Sequence, residues 1–310
     1  VKCDTADSSA APPTVTIGLV TLNEENVIGP CIDAILEDIR SMDAEIIVVA
    51  GGKDRTVEIV RSRLSGVARA KVLLDMDPRG KPAALNRMVS EASGKLLVLS
   101  DGDVRIRPGS IPLLITPFSD PDVGCCTGRV VGAQGRYNAI QKVSDHNTRL
   151  MHLSREMEFR ETGSVRLASG YILAVRRALM PRLPEDTNSD DGYISAHVRS
   201  TGRRIAYVPD AVAEVRFPTT VQDFVRQKSR TRFGHVQVAR QFHAEAARSA
   251  TGELIAYLKL RSGTSSEYGL GISVLSFIMT GLSWVVALSK RFIPGLAERR
   301  IWVPIGSTKG

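Results

Sequence analysis

Four short apolar runs, evenly spaced and separated by helical patterns, constrain this chain more than any other feature. "TVTIGLVT" (14–21), "EIIVVA" (45–50), "KVLLD" (71–75) and "KLLVLS" (95–100) each have the length and β-branched content of a strand. Between the first two, Ile32, Ile35, Leu36 and Ile39 recur on one helical face, and the second run precedes a helix that Thr56 is placed to cap. "KPAALNRMVSEAS" (81–93) supplies another helix before the fourth run. Strands that alternate with helices in this way imply βαβ units with right-handed crossovers, hence an α/β fold whose mostly parallel, Rossmann-like sheet is flanked by helices. Ligands of such sheets bind at the carboxyl ends of the strands.

Three polar stretches fall at that rim. "LSDGDV" (99–104) sets Asp101 and Asp103 either side of Gly102 at the end of the fourth run. Two carboxylates so close repel unless a cation or donors offset them, and Mg²⁺ or Mn²⁺ with substrate phosphates is one solution; a plain polar turn is the other. "TLNEE" (21–25) ends the first run, and "GKPAALN" (80–86) opens a helix with Lys81 and its free N–H groups facing the same rim.

The formal net charge is +8, which alone would suggest a nucleic-acid partner. Its distribution argues against one: residues 1–215 hold 27 Lys+Arg against 28 Asp+Glu, and residues 216–310 hold 14 against 5. The basic third also contains "YGLGISVLSFIMTGLSWVVALS" (268–289), 22 residues without a charge. That length matches the roughly 30 Å hydrocarbon core of a bilayer, with a buried core helix as the alternative. Lys259, Arg261, Lys290, Arg291, Arg299 and Arg300 flank it and suit anionic headgroups. A complete span below a cytoplasmic domain would put the last four outside, against the positive-inside tendency, so a re-entrant placement is also open. The four cysteines, Cys3, Cys31, Cys125 and Cys126, have no metal-type spacing and read as reduced thiols. Residues 1–13 read as a flexible leader without a secretory h-region.

As an ordered set, "TLNEE", "EIIVV…DRT", "GKPAALN" and the DxD of "LSDGDV" resemble glycosyltransferase family 2, the GT-A nucleotide-diphosphate-sugar transferases. The resemblance continues through "ASGYILAVRR" (168–177), similar to the acceptor-side strand, and "NSDDGYISAHVRSTGRRIAYVPDAV" (188–212), similar to the acidic-pair element. Last comes "RQKSRTRFG" (226–234), similar to the Gln-x-x-Arg-Trp motif of membrane-embedded members. The resemblance implies a GT-A domain over 14–240 followed by a basic, membrane-associated region over 241–310. It also implies an inverting transferase at the cytoplasmic face of the cell membrane, moving a sugar from a nucleotide-diphosphate sugar to a hydroxyl of a glycan or lipid-linked acceptor. By that resemblance a divalent cation, Mg²⁺ or Mn²⁺, sits on Asp103 with Asp101 on the metal or the ribose. Asp191 is the base with Asp190 in support, and Thr21, Asn23, Glu25, Asp54, Lys81, Gln227 and Arg230 line the donor site. A like-charged neighbour is expected to raise the pKa of Asp191.

Two stretches depart from the family pattern. Thr231 stands where the family has Trp, so an acceptor-stacking ring is lost there. In "VVAGGKDRT" (48–56), Ala50 and Gly51 replace carboxylates that help hold the base, and Asp54 either compensates or sits in a turn. Two other readings follow from the same residues: a polyprenyl-phosphate sugar synthase, against which "SDD" and "QKSR" speak, and a non-catalytic sugar-nucleotide-binding membrane protein, suggested by "VVAGG". The five histidines form no zinc-type cluster and read as packing or surface residues. A helix over 137–159 carries Ile140, Val143 and Leu150 on its apolar face.

Overall fold

In the computed structural model, residues 14–242 and 250–289 are described. The four apolar runs form β1 (Val15–Leu22), β2 (Ala44–Gly51), β3 (Ala70–Asp75) and β4 (Leu96–Asp101). They pair in parallel in the order β3-β2-β1-β4. β1, β2 and β4 are buried on both faces, which is why they read as unbroken apolar runs rather than as alternations. Helices α1 (Ile28–Asp38) and α2 (Thr56–Leu64) cover one face, where Ile28, Ile32, Ile35 and Val60 pack on Ile17, Leu19, Ile46 and Val48. α3 (Lys81–Glu91) covers the other with Ala84, Leu85 and Met88 against Val20, Ile47, Val49 and Leu97. Each fully buried aliphatic side chain contributes on the order of 1.5–3 kcal/mol.

The second half completes the sheet with β5 (Arg105–Ile106), β6 (Val123–Gly132), β7 (Leu173–Arg176) and β8 (Arg204–Val215), in the full order β3-β2-β1-β4-β7-β6-β8-β5. The sheet is mostly parallel, as expected, with four parallel and three antiparallel pairings. β7 runs antiparallel to both β4 and β6, and β5 is antiparallel to β8, while β6 and β8 are parallel. Because β7 is reversed, the residues that enter it, not those that leave it, lie beside the carboxyl end of β4.

Helices α4 (Ser110–Ile115), α5 (Ala139–Thr162), α6 (Asp190–Ser200), α7 (Val221–Gln241) and α8 (Ala250–Ser289) finish the chain. α5 starts with a reciprocal capping box between Asn138 and Gln141, two residues later than the pattern suggests. Thr56 is not the cap of α2: it is the first helical residue, its N–H is accepted by Asp54 Oδ1 at 3.0 Å, and its hydroxyl accepts the Glu24 N–H at 2.6 Å. The carboxylate two residues earlier takes the free amide, leaving the threonine to tie β1's exit loop to α2.

α8 breaks at Gly269, whose φ of 75° lies in the left-handed region. Its second part, Glu267–Ser289, is long and apolar enough to cross a membrane. α8 packs on α5 and α7. The packed side combines apolar and polar contacts: Met279, with Ile272 and Leu275, joins Val143 and Phe224, Ser276 and Ser273 meet His146, and Arg232 bonds Ser283 at 2.9 Å and Glu253 at 2.7 Å. Leu270, Val274, Phe277, Ile278, Leu282, Val285 and Leu288 are exposed on the same helix. Cys31, Cys125 and Cys126 are free, buried thiols, in line with their reading as reduced. The leader with Cys3 and the basic residues from Lys290 onward lie outside what is described, as do the side chains of Lys259 and Arg261.

Candidate functional site

The rim formed by the ends of β1 and β4 is organised around one lysine. Lys81, the first residue of α3, places its Nζ 2.7 Å from Asp101 Oδ1 and 2.9 Å from Asp190 Oδ2. It therefore joins the last residue of β4 to the first residue of α6. All three side chains are largely buried, at 12%, 23% and 20% exposure, so the contacts are little screened. Burial disfavours the Lys81 ammonium, but the charges of Asp101 and Asp190 more than offset that and hold its proton above the ordinary lysine range. Asp101 is pushed up to about 6 by burial; Lys81 pulls it down, and Asp103 and Asp190 push it up again.

Asn86, also in "GKPAALN", makes the second tie. Its side chain donates to Leu183 O and accepts from Leu183 N, both at 2.8 Å, fixing the segment that leads into α6. The sequence motif contains this asparagine but assigns it no role, because a carboxamide that pairs with the backbone of a residue 97 positions away leaves no local signal.

Gly102 has a packing reason. A Cβ there would lie 2.6 Å from Thr21 Cβ and would collide with Glu24 Oε2. Thr21 donates its hydroxyl to that same Glu24 oxygen at 2.8 Å, and both residues are buried. Glu24, rather than Glu25, is thus the acid behind the Asp-Gly-Asp turn. Asn23, Glu25 and Asp54 instead brace two neighbouring loops: Asn23 Oδ1 accepts from Lys53 N at 2.8 Å, Glu25 N donates to Asp54 Oδ2 at 3.1 Å, and Arg55 N donates to Glu25 Oε2 at 3.1 Å. Asp54 lies below the ordinary carboxylate range: burial raises it, and hydrogen bonds from Thr56 and Glu25 outweigh that.

Asp191 follows Asp190 at the start of α6, where Ser189 is the cap. Its Oδ1 accepts from Ser189 Oγ at 2.7 Å and from its neighbour Gly192 N at 2.8 Å, and its Oδ2 accepts from Gly170 N at 3.1 Å. The expectation of a raised pKa is wrong for this residue. Burial does push it up, but the charge of His235, the Ser189 hydroxyl, the charge of Lys81 and the Gly192 N–H together hold it below the usual range. The like-charged neighbour is itself neutralised by Lys81, and a helix N-terminus surrounds Asp191 with donors.

α7 closes the site. Gln227 Nε2 lies 3.5 Å from Tyr171 Oη, and Tyr171 sits in the fields of Asp103, Asp101, Arg230 and Lys81. Gly234 lets α7 approach the loop before α6, since a Cβ there would stand 2.7 Å from Asn188 C and 2.8 Å from Ser189 Cβ. His235 is buried and 3.5 Å from Ser189 Oγ, so one of the histidines read as packing or surface residues stands directly behind the acid pair. Its place next to Gly234 is the signal that could have found it. Thr231, at the tryptophan position of the family motif, bonds back to Gln227 O at 3.1 Å, a helix-internal role.

The structure therefore brings Thr21, Lys81, Asp101, Asp103, Asp190, Asp191, Gln227 and Arg230 to one rim, and leaves Asn23, Glu25 and Asp54 as loop braces. Asp101 and Asp190 share one lysine, and Asp103 adds a third carboxylate beside Asp101, so the rim offers the oxygen ligands that a divalent cation takes. No group of three His, Cys, Asp or Glu side chains among the described residues encloses an ion. Diphosphate oxygens and water would have to complete the coordination of a cation such as Mg²⁺ or Mn²⁺.

A family model described as "Glycosyltransferase like family 2" matches residues 12–234. The chain is 23% identical over 233 residues to an N-acetylglucosaminyltransferase of Rhizobium leguminosarum bv. viciae, a match covering 70% of this chain and 54% of that protein. It thus spans about half the length of the curated relatives it matches. Its fold is similar to a mannosyltransferase from Pyrobaculum calidifontis in complex with GDP-Man and Mn²⁺, with a TM-score of 0.64 at 19% identity over 91% of this chain and 88% of that one. It is also similar to glucosyl-3-phosphoglycerate synthase from Mycobacterium tuberculosis in complex with Mn²⁺, UDP and phosphoglyceric acid, with a TM-score of 0.52 at 19% identity over 75% of this chain and 79% of that one.

Proposed function

The chain belongs to glycosyltransferase family 2, and from that premise we propose that it moves a sugar, with inversion, from a nucleotide-diphosphate sugar to a hydroxyl of a glycan or lipid-linked acceptor. The observation that carries this reading is the Lys81 bridge: one cation holds the donor-side Asp101 and the acceptor-side Asp190 within a single hydrogen-bonded unit. A site that must bring two substrates to one bond needs such a joint.

Asp103 and Asp101 would hold a divalent cation, which, when bound, neutralises the departing diphosphate. Arg230 and Gln227, one turn apart on α7, present a guanidinium and an amide to phosphate oxygens. Asp191 takes the acceptor's proton. Its low pKa keeps it ionised at neutral pH, and three donors fix its orientation while one lone pair on Oδ2 is left for the hydroxyl. Asp190, held by Lys81, keeps α6 in register with β4. The exposed apolar side of α8 and the basic excess of the last third support attachment at the cytoplasmic face of a membrane.

The test is release of nucleotide from a panel of UDP- and GDP-sugars by detergent-purified protein with Mn²⁺ or Mg²⁺. Release that needs the metal, vanishes in Asp103→Ala and drops at least about 100-fold in Asp191→Asn once an acceptor is supplied is expected. Absence of binding to every nucleotide sugar would overturn the reading.

A further inference from the structure

Strand register places a further acidic residue on the donor side of the rim. Val20 pairs with Asp101, and Leu22 pairs with Gly51, which pairs with Asp75. Because side chains alternate along a strand and paired residues share a face, Asp101, Val20, Leu22, Gly51 and Asp75 all belong to the same face of the sheet. That face carries α3 and Lys81. Asp75 stands three inter-strand spacings from Asp101, about 14 Å along the rim. A nucleoside diphosphate whose phosphates sit by Asp101, Asp103 and Arg230 has to extend its base away from the acceptor-side residues of β7 and α6, which is toward β2 and β3.

At the end of β2 no polar side chain is available for that base, since residues 50 and 51 are Ala and Gly. Asp75 occupies the vacated space: a Cβ on Gly51 would lie 2.5 Å from Asp75 O and 3.3 Å from Asp75 Cβ. The Asp75 carboxylate is half-buried, and among the described residues no side-chain hydrogen bond or ion pair holds it. Burial raises its pKa against the nearby charges of Arg87 and Arg79, the former being committed to Leu74 O at 2.6 Å. The next residue, Met76, is 84% exposed, a polarisable apolar side chain beside the carboxylate.

We propose that Asp75 reads the donor's base and that the base is guanine, with Met76 against the ring face, so that the donor is a GDP-sugar. This rests on the nucleotide-sugar reading above and narrows it. An ionised carboxylate only accepts, and it accepts best from two parallel N–H donors. Guanine offers such a pair in its ring N–H and exocyclic amine. The corresponding edge of uracil has one N–H between two carbonyls, which a carboxylate meets with repulsion, and adenine has a single exocyclic amine beside a ring acceptor.

The experiment is calorimetric titration of GDP, IDP, UDP and ADP, each with Mn²⁺, into wild type and Asp75→Asn, with far-UV circular dichroism to establish that the variant is folded. IDP keeps the ring N–H of GDP and lacks the exocyclic amine. Wild type should bind GDP at least about 10-fold tighter than UDP or ADP and about 10- to 150-fold tighter than IDP, a difference of one charge-assisted hydrogen bond. In Asp75→Asn the GDP-to-UDP ratio should fall to within about 3-fold, with UDP affinity nearly unchanged. Tighter binding of UDP than GDP, equal binding of IDP and GDP, or an unchanged ratio in Asp75→Asn would each overturn the proposal while leaving the transferase reading intact. If none of the four nucleotides binds, the transferase reading fails as well.

Discussion

Replacing Lys81 by methionine keeps the aliphatic stem and removes the one charge that Asp101 and Asp190 share at 2.7 and 2.9 Å. Breaking a largely buried pair by deleting one partner costs about 3–5 kcal/mol. A second route gives a ceiling of similar size. The orphaned carboxylate can escape by taking up a proton, and keeping neutral at pH 7 a group whose unfolded value is about 3.9 costs roughly 4 kcal/mol, at about 1.36 kcal/mol per pH unit. The same arithmetic at pH 5 gives only about 1.5 kcal/mol. The sign follows: in the variant the folded state binds the extra proton, so acid favours it, and the deficit relative to wild type should shrink from at most about 4 to at most about 1.5 kcal/mol between pH 7 and pH 5, less if the proton goes to Asp101, which already sits at about 6 in the wild type. Urea denaturation followed by far-UV circular dichroism at the two pH values measures both numbers. Adding Asp190→Asn to Lys81→Met should recover at least about 1 kcal/mol at pH 7, because the residues are in contact and their effects are not additive. A loss under about 1 kcal/mol, or one that does not change with pH, would mean that Lys81 is solvated and does not join the two halves of the rim.

Three further outcomes are expected. Gly102→Ala must push a methyl group against Thr21 and Glu24, so the fold should lose about 1–3 kcal/mol in a thermal melt, and metal-dependent nucleotide release should fall further than stability does; an unchanged melting temperature would refute the close packing behind the turn. Asn86→Ala deletes both bonds to Leu183 and should cost about 2 kcal/mol, with kcat reduced more than donor binding is weakened, since the acid-pair helix rather than the phosphate site loses its anchor. His152, buried against Tyr207, has its pKa lowered to about 4 by burial and by the charge of Arg129, whereas in the unfolded chain it titrates near 6.5. The folded state therefore resists the proton that the unfolded state takes up, and stability should fall as pH drops from about 6.5 toward 4 by up to about 3 kcal/mol; a His152→Gln variant should show a flatter profile in denaturation curves over that window.

The parallel half of the sheet was legible because β1, β2 and β4 are buried on both faces and their flanking helices have strong apolar faces, two signals that local sequence carries. The reversal of β7 was not legible: four residues, Leu173–Arg176, look alike in either direction, and only pairing with β4 and β6 decides it. At the site, Lys81, Asp101 and Asp191 could be placed at the rim from the ends of elements. Which charge answers which is a matter of three-dimensional distance and left no trace in the order of residues. Asp190 and Asp191 look like an interacting acid pair when written side by side, yet one belongs to Lys81 and the other to Ser189, Gly170 and Gly192. Glu24 and Glu25 are likewise adjacent letters with separate duties, one behind Gly102 and one holding Arg55.

The reversed strand also separates two kinds of change that such a chain can undergo. On the proposed reading, donor-side groups follow strands: they sit where β1, β2, β3 and β4 end, on loops that can be rewritten without moving a strand. The groups that the same reading assigns to the acceptor precede elements: Gly170 and Tyr171 stand ahead of β7, and Ser189 ahead of α6. These are different loops. If the proposed reading holds, residues 166–171 and 183–189 can drift toward a new acceptor while the nucleotide chemistry stays intact, and the loops after β2 and β3 can exchange one nucleotide for another without disturbing the acceptor, so long as Lys81 continues to hold the two inheritances together.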